Sequence, residues 1–190
     1  MQPIFDDSRI AAGPIDASSD EALLERSRRG EATAFAALAA RYWDAVHRIA
    51  WQMVPDETAA AKVAEAAFLA VLQAGEAFPA QASFKTSLYR VVMGESWQRL
   101  EDAPVAGAIG LARSSIAARF REAVQRLDAL DRAALLLREA AHLSAEEAAA
   151  VLGITPASIR RRTHQATIAL MGFVAVQAGS AWTICVGLWT

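Results

Sequence analysis

The sequence holds a single cysteine, Cys185, in 190 residues. That excludes an intramolecular disulfide and any cysteine-cluster metal site. Glycine and proline are scarce, at 10 and 6 residues, so little interrupts regular structure. No strand-like alternation and no long internal repeat stands out. An excess of positive charge is also missing: 19 Lys and Arg face 21 Asp and Glu, for a net charge of -2. Any affinity for nucleic acid must therefore rest on a local basic patch. The first twenty residues, MQPIFDDSRIAAGPIDASSD, lack the basic start and apolar run of a signal peptide, and their Pro, Gly, Ser and Asp predict a disordered leader over residues 1–18. A cytoplasmic location fits these features. No nucleophile with a paired base, phosphate-binding glycine loop or cluster of metal ligands is visible, so the chain reads as a non-enzyme with no cofactor and no metal.

What is abundant is alanine, within a hydrophobic fraction of 54%. That composition predicts an all-α fold. The most informative stretch is residues 143–170, LSAEEAAAVLGITPASIRRRTHQATIAL. Ser144 and Glu147 stand three apart, the spacing of a capping box that opens a helix. Gly153 stops that helix. Thr155 can cap a second one, and Pro156 occupies its first position, where a missing N–H costs nothing. Two helices joined by a tight glycine-containing turn predict a helix-turn-helix. The second helix carries Ser158, Arg160, Arg161, Arg162, His164 and Gln165, with Ile159, Ala166, Ile168 and Leu170 offered to a core. Such a composition suits a recognition helix in a major groove.

Upstream, Ser18 with Glu21 forms a candidate capping box, with Asp20 as a rival cap, for a short helix to about Arg29. Phe35, Leu38, Ala39, Tyr42, Val46, Ile49, Ala50 and Met53 recur at helical spacing and predict a long helix from Ala32 to about Val54. A third helix to about Ala74 places Val63, Ala67, Phe68, Val71 and Leu72 on one face. After the loop GEAFPAQAS, a fourth begins at Phe84, with Leu88, Val91, Val92, Trp97 and Leu100 available to a core. EDAPVAGAIG reads as a linker. A fifth helix near residues 115–127, with Ile116, Phe120, Val124 and Leu127, and a sixth near 131–141 complete the platform for the helix-turn-helix. Trp43 and Trp51 read as packing residues, and Glu146 and Glu147 as capping and helix-dipole residues.

In this order, D20EALLERSRRGEATAFAALAARYWDAV and F84KTSLYRVV resemble the sigma-two domain of extracytoplasmic-function (ECF) sigma factors. The stretch AVQRLDALDRAALLLREAAHLSAEEAAAVLGITPASIRRRTHQA resembles their sigma-four domain. The resemblance implies two small helical domains: sigma-two-like over 19–100, a linker over 101–113, sigma-four-like over 114–171, and an apolar extension over 172–190. It implies a transcription initiation factor that binds RNA polymerase core and promoter DNA, reading the minus-35 element through the helix that starts at Thr155. Of the arginines, it points to Arg160 and Arg162, with Ser158 and His164. Arg161 completes the basic run. In the sigma-two-like part, Lys85, Tyr89, Arg90 and Arg99 are the matching candidates for DNA, and Lys62, Val63, Glu65, Ala66 and Phe68 for polymerase.

Departures from the family pattern keep a second reading open. Where relatives carry an acidic, glutamine-containing motif, this chain has Lys62 and Ala66 in place of two carboxylates. Ser87 replaces an aromatic residue and Gly94 an asparagine. A sigma mimic that binds an anti-sigma factor or itself is the alternative, with the uncharged extension as a surface for self-association; a membrane segment is disfavoured because Gln177, Gly179, Ser180 and Thr183 interrupt the apolar run.

Overall fold

The computed structural model describes residues 18–54, 56–73, 83–102 and 116–187, with side chains described over 18–54, 56–73, 83–100 and 120–173. The expected leader, the linker and most of the loop before the fourth helix lie outside these residues. Among the described residues every regular element is a helix, and the chain divides into two compact units, Met1–Asp102 and Ala103–Thr190. The all-α expectation holds.

The first unit contains α1 (Asp20–Arg28), α2 (Ala32–Met53), α3 (Glu57–Gln73) and α4 (Phe84–Asp102). The cap of α1 is Ser19, whose hydroxyl accepts from the Ala22 N–H at 3.2 Å. Neither Ser18 nor Asp20 takes that place. Asp20 is needed elsewhere: its carboxylate accepts from Arg41 at 2.6 Å and from the Tyr42 hydroxyl, which fastens the start of α1 to α2. Gly30, at φ +90°, turns the chain into α2. Leu23, Leu38, Val46, Ile49, Met53, Val63, Phe68, Leu88 and Met93 then form the buried core.

On α4 the buried face departs from the sequence expectation. Thr86, Ser87 and Ser96 are buried with Phe84, Tyr89 and Met93, whereas Val91, Trp97 and Leu100 are half-buried. The helix packs against α1, α2 and α3 together. A helix covered from several sides needs no single apolar stripe, so periodicity could not pick its inner face.

The second unit contains α5 (Ile116–Gln125), α6 (Ala129–Glu139), α7 (Ala145–Leu152) and α8 (Pro156–Gly187). α6 starts two residues before the expected position because Asp128 caps it, accepting from the Leu130 N–H at 3.0 Å. Val124, Ala133, Leu137, Leu143, Ala148, Ile159 and Ala166 are buried together. Two residues expected inside are not: Phe120 is 50% exposed and Ile168 55%. Ile168 lies two positions beyond buried Ala166, about 200° around the helix by the 3.6-residue turn, which carries it to the outer side.

Both signals of the helix-turn-helix are met. The Ser144 hydroxyl accepts from the Glu147 N–H at 3.1 Å, and the Glu147 carboxylate accepts from the Ser144 N–H at 2.7 Å. Gly153 sits in the left-handed region at φ +67°. A Cβ there would meet nothing within 4 Å, so the cost of a side chain is purely one of backbone conformation. Gly153→Ala is expected to lower the stability of this unit by about 1 kcal/mol. Denaturant unfolding of the two proteins measures it.

α8 does not stop after the recognition segment but runs for 32 residues to Gly187. Within the unit, the Arg126 guanidinium lies over the Phe173 ring of α8, 5.4 Å from its centroid. No helix among the described residues is long and apolar enough to cross a membrane. Self-association through the extension concerns side chains from residue 174 onward, which lie outside the described ones.

Candidate nucleic-acid interface

α7 and the first turns of α8 place the basic run of the second unit. The Thr155 hydroxyl accepts from the Ser158 N–H at 3.2 Å and shares a hydrogen bond with the Ser158 hydroxyl at 3.0 Å. Ser158 is thereby engaged in the cap of its own helix. Ile159, fully buried, anchors the next position. With consecutive residues about 100° apart, the three arginines that follow meet three different environments.

Arg160 is exposed and donates to Glu146 of α7 at 2.7 Å, across the turn. Arg161 points to solvent and forms no ion pair among the described residues. Arg162 turns inward: it donates to Asp131 of α6 at 2.6 Å, with Asp128 at 3.9 Å. Only 26% of its side chain is exposed. The pairing of Arg160 with Arg162 suggested by family resemblance therefore separates in space. Arg160, Arg161, His164 and Gln165 share the exposed side of α8, whereas Arg162 ties that helix to the platform below.

The sigma-two-like candidates divide in the same way. Tyr89 is 1% exposed, and burial pushes its hydroxyl up to about 12, with Arg48 acting weakly in the other direction. In this structure Tyr89 is a core residue, and a base could stack on it only if α4 came away from its neighbours. Phe84 is likewise buried, against Tyr42 at a centroid distance of 5.4 Å. Lys85 and Arg90 are half-buried, and Arg99 donates to Glu95 one turn before it at 2.7 Å.

On α3, Val63 is fully buried and Phe68 is 2% exposed. Both side chains are packed in the core, where a partner could reach them only if α3 shifted. Phe68 stacks on Trp43 at 6.0 Å and meets Phe35 edge-on at 6.3 Å, as the packing assignment of Trp43 requires. Lys62 is exposed, with Glu65 and Ala66 half-buried beside it. Two participants were missed from sequence: Glu146 and Asp131, the partners of Arg160 and Arg162. They lie 14 and 31 positions away along the chain, and no local spacing rule reaches that far.

Residues 117–170 match the family described as Sigma-70, region 4. That range spans nearly all of α5, all of α6 and α7, and α8 as far as Leu170. No curated protein matches the sequence significantly. Among solved structures, CnrH in complex with the cytosolic domain of CnrY is similar in fold, with a TM-score of 0.67 at 24% identity, covering 84% of this chain and 99% of that one. The sigma factor RpoE of Bartonella quintana, in complex with the anti-sigma factor NepR, reaches 0.64 at 18% identity, over 80% of this chain and 98% of its own. PhyRSL from Sphingomonas sp. Fr1, also bound to NepR, reaches 0.56 at 21% identity, over 70% and 85%. The resemblance to sigma factors drawn from the sequence thus holds, in sequence over region 4 and in fold over most of the chain.

Proposed function

We propose that the protein is a sigma-like transcription initiation factor that works in the cytoplasm without chemistry of its own. It binds RNA polymerase core and docks region 4 on the minus-35 promoter element through the start of α8. The single observation that carries this is the exposed strip of Arg160, Arg161, His164 and Gln165 on a capped helix-turn-helix. Guanidinium groups there suit both phosphates and base edges in a major groove. With a net charge of -2, attraction to DNA has to come from local basic strips such as this one. The test is reconstitution: the full chain is mixed with bacterial core polymerase and a promoter-fragment library. Co-elution with the polymerase and specific transcripts support the reading, and failure of both overturns it.

A second reading, a sigma mimic or regulatory partner, is favoured by Lys62. It stands exposed on α3 where relatives carry an acid, so a cationic partner surface meets repulsion instead of attraction. Proteins of this fold have been solved bound to CnrY and to the anti-sigma factor NepR, which supports an anti-sigma protein as a partner under either reading. If polymerase binds Lys62→Asp with Ala66→Glu but not the natural chain, the mimic reading replaces the first.

A further inference from the structure

Arg160 is exposed and long, and an unheld arginine samples many rotamers, so presenting a planar fork to one base carries an entropic cost. Here one of its terminal nitrogens is held: the Glu146 carboxylate accepts from it at 2.7 Å, from the first turn of α7. One carboxylate contact leaves most of the five N–H donors of the guanidinium available. The carboxylate itself is 64% exposed, and it sits on the helix that precedes the recognition helix. It is therefore a fixed negative charge beside the strip proposed to face DNA, where it repels phosphate.

We propose that Glu146 is a positioning residue that sets Arg160 for guanine. It gives up general affinity for DNA in exchange for sequence discrimination. The inference rests on the DNA-binding reading of α8. The carboxylate fixes the fork so that its free edge meets the O6 and N7 acceptors of guanine, the pairing geometry that guanidinium makes best in the major groove. At the same time its charge opposes the phosphate attraction that every sequence offers equally. Affinity for random DNA and selectivity should therefore move in opposite directions when Glu146 is changed. Loss of a merely structural contact would lower both.

The test is selection from a randomised duplex DNA library by the full chain, run in parallel with Glu146→Ala, Glu146→Gln and Arg160→Ala. Affinity for unselected random duplex is measured alongside, at several salt concentrations. The wild type is expected to enrich guanine at one position, and Arg160→Ala to lose that preference. Glu146→Ala should lose it at the same position, by about tenfold in enrichment, while binding unselected duplex several-fold more tightly at low salt. Glu146→Gln keeps an acceptor oxygen and loses the charge, so it should retain most of the guanine preference and still gain general affinity. Circular dichroism confirms that the variants are folded, as an exposed first-turn position permits. Equal guanine preference in wild type and Glu146→Ala overturns the role of Glu146 and leaves the DNA-binding reading intact. If the wild type selects no sequence at all, both fall.

Discussion

Phe68→Ala is expected to destabilise the first unit by about 3–5 kcal/mol, enough to leave much of it unfolded at moderate temperature. The ring is 2% exposed and lies between Trp43, stacked at 26°, and Phe35, at right angles to it. Removing it deletes a large buried area, and the surrounding helices α2 and α3 cannot fully close the cavity. The two aromatic contacts add about 0.5–1.5 kcal/mol each beyond simple burial. Phe68→Leu keeps most of the volume and should cost far less. Urea unfolding followed by tryptophan fluorescence reads the effect, since Trp43 packs on Phe68 as well as on His47. The experiment separates two roles for this position. A residue reserved for a polymerase surface would tolerate alanine with a change of only about 0.5 kcal/mol and lose binding instead.

The same residue shows where sequence reading stops. The helical spacing of Val63, Ala67, Phe68, Val71 and Leu72 marks one face, and the structure buries the first four and leaves Leu72 half-buried. Matching the motif onto a family's polymerase-contacting stretch put Val63 and Phe68 on the surface as well, because a motif aligns residues regardless of which way they face. On α3 the two signals conflict, and burial separates Lys62 from its neighbours. Capping chemistry was the most legible signal: Ser144, Glu147, Gly153, Thr155 and Pro156 all take the places their types dictate, because those bonds close within three or four residues. Long-range ion pairs were illegible. Asp131 looks from sequence like any acid in a first turn, and Arg162 like its two neighbours. Only the packing of α8 on α6 decides that this acid and this arginine meet. The buried serines of α4 were hidden for a related reason, since they satisfy no local pattern and owe their position to the helices around them.

The neighbouring arginines Arg161 and Arg162 should respond differently to truncation. Arg161→Ala should leave stability within about 0.5 kcal/mol of the wild type, because its side chain is exposed and unpaired among the described residues. It should weaken DNA binding about tenfold or more. If it meets a phosphate, the slope of log affinity against log salt falls by about 0.9; if it meets a base edge, selectivity falls by about 1–3 kcal/mol instead. Arg162→Ala should behave in the opposite way. It leaves Asp131, 21% exposed, facing a partly buried gap with no cation at 2.6 Å. The stranded carboxylate and the lost hydrogen bond together destabilise the second unit by about 1–3 kcal/mol. Any loss of DNA binding then follows from a loosened α8, and it should shrink when temperature is lowered or when Asp131→Asn is added to remove the unpaired charge. Unfolding curves and salt-dependent DNA titrations of the wild type and these variants supply both readouts. If Arg162→Ala kept full stability but changed the salt slope, while Arg161→Ala bound like the wild type, Arg162 would have to leave Asp131 and reach the DNA. Family resemblance favours that outcome; the ion pair in the structure opposes it, because the guanidinium would first have to leave a partly buried carboxylate 2.6 Å away.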